Sequence, residues 1–155
     1  MDMLPLLLLS PLLLSVAYFD LRYMRIPNVL SVIAVALFVL TMPLLGWHEL
    51  AARLVAATIV FGIGLAVFAL RMVGGGDVKI LAGLMLFIPS QTYQIFGFGF
   101  SAALLLGILF VLGLRVIPRL QRTRWVTIQA RGTFPMGISI ALAGLIHPFV
   151  VYTLQ

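Results

Sequence analysis

Six apolar runs occupy most of this chain, at about 3 to 19, 29 to 47, 54 to 70, 78 to 90, 95 to 114 and 134 to 154. Crossing the hydrocarbon core of a bilayer takes roughly 20 mostly apolar residues in a helix. Inside lipid every backbone polar group must find an internal partner. The expected fold is therefore all-α, a polytopic membrane protein with about six transmembrane helices. Residues 1–155 would form one membrane-embedded domain, with no separate soluble domain. With 63% apolar and only 9% charged residues, an ordinary soluble domain is excluded. The first run is read as a span rather than a cleavable signal peptide, because Asp2 precedes it and arginines follow it.

The connections between the runs, a short turn around Trp47 to Arg53 among them, carry the charge. Alternate connections face the same side, and Arg22, Arg25, Arg71, Lys79, Arg115, Arg119, Arg122, Arg124 and Arg131 all fall in the first, third and fifth; only Arg53 falls opposite. The positive-inside rule makes the basic side cytoplasmic and leaves both termini outside. Topology and anionic lipid headgroups thus account for the net charge of +6, and no nucleic-acid partner is implied. The arginine-rich stretch from Arg115 to Arg131 could also dock an acidic partner. Without cysteine there is no disulfide and no thiolate zinc site. His48 and His147 are expected near the outer face, so neither a metal nor another cofactor is expected. Trp47 reads as an interfacial anchor, and Gly97, Gly99, Ser101 and Ala103 as a small-residue stripe for close helix packing.

Only four acidic residues are present. Asp2 and Glu49 are expected in solvent. Asp20 follows the first run and Asp77 opens the fourth, so both should lie at cytoplasmic helix ends. Carboxylates near a membrane are expensive and mark functional sites by default. Each also has a simpler reading: Asp77 could cap a helix, and Asp20 could pair with Arg22 or Arg25. The stretch "RMVGGGDVKI", residues 71–80, adds a second signal. Gly74, Gly75 and Gly76 are expected to form an unwound bend that opens Asp77 to water and to an extended peptide. Two nearby acids sharing one proton can activate water and protonate a carbonyl oxygen.

At this point the residues resemble a known family. "FDLRYMRIPN" (19–28) and "GGGDVK" (74–79) are similar to the two aspartate motifs of type IV prepilin peptidases, membrane aspartyl proteases of the GxGD type. The resemblance implies removal of the short basic leader of prepilin or pseudopilin precursors at the cytoplasmic face of a bacterial inner membrane. It implies Asp20 and Asp77 as catalytic residues, with Gly74, Gly75, Gly76 and Lys79 in substrate binding or loop support. Lys79 could steer a substrate carboxylate, tune Asp77 or anchor the topology. "FPMG" (134–137) resembles a Pro-x-Gly element near the last span and brings in Pro135 and Gly137, although a helix start would look the same. Larger relatives carry a four-cysteine zinc insertion and methylate the new N-terminus. Here the cysteines are absent, so neither zinc nor methylation is expected. The compact form most resembles the peptidases of tight-adherence (Flp) pili. Two other readings stay open: a small ion-coupled transporter or channel with a helix broken at the glycines, and a catalytically silent assembly subunit.

Overall fold

The computed structural model describes residues 3–117, 125–129 and 134–154. Every regular element among them is helical. The helices are α1 (Leu4–Tyr23), α2 (Asn28–Thr41), α3 (Trp47–Ala69), α4 (Gly75–Met85), α5 (Tyr93–Val116), α6 (Val126–Gln129) and α7 (Met136–Leu154). Short 3-10 turns, Met42–Leu44 and Ser90–Thr92, follow α2 and precede α5. Asp2, Arg119, Arg122, Arg124 and Arg131, assigned above from the sequence, lie outside the described residues.

Among the described residues four helices are long and apolar enough to cross a membrane: α1, α3, α5 with its preceding turn, and α7. The expected count of six is not confirmed. The second apolar run yields only Asn28–Leu44, with the helix passing into a 3-10 turn at Pro43. The fourth yields the 11 residues of α4, about 16 Å at 1.5 Å per residue, against a core of about 30 Å. Beyond α4 the chain tightens, with the Phe87 N–H bonding Leu84, and Pro89 then leads it into the turn before α5.

The elements also differ from the expected boundaries where polar residues join a helix. Residues 47 to 53, read as a turn, form the first two turns of α3, starting straight after an extended Gly46. Glu49 sits in the first turn, where an acid suits the helix dipole. Its carboxylate accepts from Arg53 Nε one turn later, at 2.8 Å.

The core lies between α1, α4 and α7. Leu6, Leu9, Leu13 and Val16 recur at helical spacing and bury one face of α1. Against them pack Ile80, Leu84, Phe87 and Ile88 from α4 and the chain beyond it, with Ile140 and Ala143 of α7. Gly144 permits this close approach, since a Cβ there would stand 2.7 Å from Leu13 and 3.1 Å from Leu84. Ala34 and Phe38 attach α2, Phe38 meeting Phe87 edge-on at 5.7 Å between ring centroids. By contrast α3 buries only Arg53 and Ala57 and makes its helix contacts with α4. The shortest apolar helix is thus the best enclosed, while α2, α3 and α5 turn large apolar side chains outward.

The expected packing stripe on α5 holds at Ala103, which is buried in the core, but not at its glycines. Cβ atoms at Gly97 and Gly99 would meet nothing within 4 Å. The close approach lies further along, at Gly107, against Ser139 and Phe134.

Candidate active site

The end of α1 and the starts of α4 and α7 meet at one end of the bundle. Asp20 occupies the last turn of α1, which stops at Met24 in the left-handed conformation (φ 48°). Pro27 then gives the chain an extended residue and α2 begins. This abrupt stop leaves Arg25 and Ile26 lining the same cavity as Asp20.

Asp20 is 4% exposed, and its Oδ2 accepts the Ile138 backbone N–H at 3.3 Å. The Gly137 N–H also points at this carboxylate. The first turn of a helix leaves its N–H groups without intrahelical partners and carries a partial positive charge. The start of α7 therefore holds the Asp20 carboxylate in place. Gly137 makes the approach possible, because a Cβ there would stand 2.7 Å from Oδ2 and 2.9 Å from Cγ. From behind, the Thr127 hydroxyl of α6 donates to the Asp20 carbonyl oxygen at 3.2 Å.

Asp77 stands in the first turn of α4, behind Gly74 at the N-cap. The Gly74 N–H bonds its carboxylate, the reach-back of a third-position acid in a capping box. Capping is thus part of what Asp77 does. It is not all, because Oδ1 is buried without a hydrogen-bond partner. A buried carboxylate oxygen left this way is costly and calls for an explanation.

Both acids line one cavity of about 220 Å³, walled by Met24, Arg25, Ile26, Gly74, Gly75 and Gly76. The glycines do not form the expected unwound bend. Gly75 and Gly76 are the first helical residues of α4, Gly74 is extended (φ −76°, ψ 142°), and the left-handed residue in the connection is Arg71 (φ 59°). What the glycines supply is room. A Cβ at Gly76 would stand 3.1 Å from Ile26 Cβ, and one at Gly74 would stand 2.7 Å from Asp77 Oδ2. The helix break demanded by the transporter reading is likewise missing at the glycines.

The other residues singled out above fall elsewhere. Lys79 Nζ donates to Asn28 Oδ1 at 3.0 Å and does not line the cavity. Asn28 therefore holds Lys79 and leaves the N-cap of α2 to Pro27. Arg22 bonds the Tyr18 hydroxyl and lies over the rings of Tyr18 and Tyr23, so the expected Asp20 pair is made by backbone instead. Pro135 is buried just before α7, whereas Gly137 abuts Asp20 directly. Arg25, read as a headgroup anchor or an Asp20 partner, lines the cavity.

The opposite end carries its own polar cluster. Arg53 is 1% exposed, pairs with Glu49 and approaches the Leu86 and Phe87 carbonyls at 3.4 Å. Glu49 also accepts from the Ser90 N–H at 2.9 Å and its hydroxyl at 2.7 Å. The expected solvated glutamate is thus a fastening between α3 and the turn before α5. His147 is buried on Thr92 at 2.9 Å and edge-on to Phe96. No group of metal-ligating side chains occurs among the described residues.

A family model described as the type IV leader peptidase family matches residues 7–116. No curated protein and no solved structure matches the chain.

Proposed function

The chain belongs to the type IV leader peptidase family, and we propose that it is an aspartic endopeptidase whose dyad is Asp20 and Asp77. The observation that carries this reading is the single cavity lined by both acids, with Asp77 Oδ1 buried and unbonded beside it. One carboxylate takes a proton from water. The resulting hydroxyl attacks the scissile carbonyl carbon while the other, protonated acid gives its proton to the carbonyl oxygen. Collapse of the tetrahedral intermediate breaks the C–N bond, the leaving nitrogen is protonated, and the dyad returns to one shared proton. The titration belongs to the pair, so neither acid is assigned a fixed role.

The proposed substrate is a prepilin or pseudopilin precursor of the Flp type. Its basic leader would lie on the cytoplasmic side of a bacterial inner membrane, with the apolar segment in the bilayer and both termini of the enzyme outside. Arg22, Arg25, Arg71 and Lys79 cluster at the same end as the acids, as the positive-inside rule requires of a cytoplasmic site. Lipid headgroups are the other expected contacts of this end. Incubating purified protein with such a precursor and locating the cut by mass tests the reading directly. An uncut precursor would refute it.

The packing of α7 on Asp20 makes a separate prediction. Gly137→Ala places a methyl group 2.7 Å from Oδ2, closer than packed atoms allow, so the carboxylate must shift away from its two backbone donors. Misplacing a reacting group by about 1 Å can reduce rates by about 10²-fold. A loss of that order in kcat/KM is expected, with precursor binding retained. Wild-type turnover in this variant would show that the α7 seat is not needed.

A further inference from the structure

The cations that flank the two acids in the sequence differ in what they touch. Arg22 bonds the Tyr18 hydroxyl and lies over two rings, and Lys79 donates to Asn28. Neither lines the cavity shared by Asp20 and Asp77, nor does Arg71. Arg25 does, as the one cationic residue on its described walls. Among the described residues no hydrogen bond or ion pair engages its guanidinium, although two carboxylates line the same cavity.

Its place on the wall is set by the chain around it. α1 ends at Met24 in the left-handed conformation and Pro27 is extended, so Arg25 sits in a short connection held at both ends. The neighbouring Ile26 is wedged against two glycines: added Cβ atoms at Gly76 and Gly137 would stand 3.1 and 2.9 Å from it. Arg25 itself is exposed. Its side chain therefore carries a permanent charge and a planar fork of N–H donors on a flexible stem beside the cavity. Both acids already have backbone donors, the α7 amides at Asp20 and the Gly74 N–H at Asp77, and the fork stays open.

Hydrolysis of a peptide bond supplies the missing anion. Water oxygen adds to the carbonyl carbon, the C–N bond breaks, and both water protons end on the nitrogen, which leaves as an ammonium group. The leader half then ends in a new carboxylate. It arises beside a dyad that keeps one negative charge, and like charges at such range repel. We propose that Arg25 takes the new carboxylate of the leader on its paired N–H donors and draws it off the dyad, a role that rests on the proteolytic reading above. Arginine suits this task better than lysine, because its fork matches both oxygens.

The test measures binding apart from cleavage. Fluorescently labelled leader peptides, ending in a free carboxylate or in a carboxamide, are titrated onto wild-type protein, Arg25→Lys and Arg25→Gln in detergent. The ratio of amide Kd to acid Kd should fall about tenfold from wild type to Arg25→Gln, the effect of losing one charge-assisted pair. Arg25→Lys should lie between them. The amide form should bind all three alike, which a merely structural role would not give. An unchanged ratio, or equal weakening of both peptides, overturns the role of Arg25 and leaves the dyad standing. Cleavage of an intact precursor by the wild type is scored in parallel, and its absence overturns both readings.

Discussion

Asp20→Asn and Asp77→Asn are each expected to lower leader removal by about 10²–10⁴-fold, the contribution of a positioned acid or base. Asparagine keeps the shape of the side chain and still accepts a hydrogen bond, so the α7 donors at Asp20 and the Gly74 N–H at Asp77 retain a partner. What is lost is the ability to take or give a proton. Residues that act as one unit are strongly non-additive, so the double variant should be little worse than either single one. Kinetics on a defined precursor, with product mass as readout, separate three outcomes. Loss of cleavage in both variants supports the dyad. Intact cleavage with altered ion flux would favour a transporter. Intact cleavage with failed pilus assembly would favour a subunit without catalysis.

Arg53→Ala should give the largest loss of stability, about 3 kcal/mol, the lower end of what breaking a buried ion pair costs. The arginine is enclosed, and its removal leaves Glu49 part-buried without its cation, two carbonyls without a donor, and a void between α3 and α4. Ser90 still donates twice to Glu49, which keeps the estimate at the low end. Glu49→Gln should cost less, because the amide oxygen can replace part of the acceptor. Thermal unfolding in detergent checks both, and an unshifted Arg53→Ala transition would mean that the network is ornamental. The site lies at the other end of the bundle, so any protein that stays folded should still process precursor.

How much of this was legible in the sequence varies with the physics involved. The helical class followed from the apolar runs, because lipid leaves few alternatives. The placement of both acids at one end followed from counting traverses. The count of six spans is not confirmed, since apolar composition does not say whether a helix crosses lipid or, like α4, is enclosed by other helices. The polar residues from Trp47 to Arg53 looked like a turn because a mixed stretch at a run's edge has no apolar periodicity. The Glu49–Arg53 spacing of four was the available signal.

Glycine was the hardest residue to read. The type marks a need for freedom or for space, and only the fold says which. At Gly76 and Gly137 it is space, against Ile26 and Asp20. "FPMG" is legible as a pattern, but that its glycine meets Asp20 is a tertiary fact. Thr127 carried no local signature at all, since it sits in a helix of four residues.

The amides that orient the first acid come from Gly137 and Ile138, more than a hundred positions downstream and beyond the stretch 7–116 that carries the family likeness. A fragment ending there would contain each acidic group yet lack the clamp on one of them. If Asp20 is half of the proposed dyad, the minimal working unit is longer than its recognisable signature, and α7 serves the chemistry as much as the anchor.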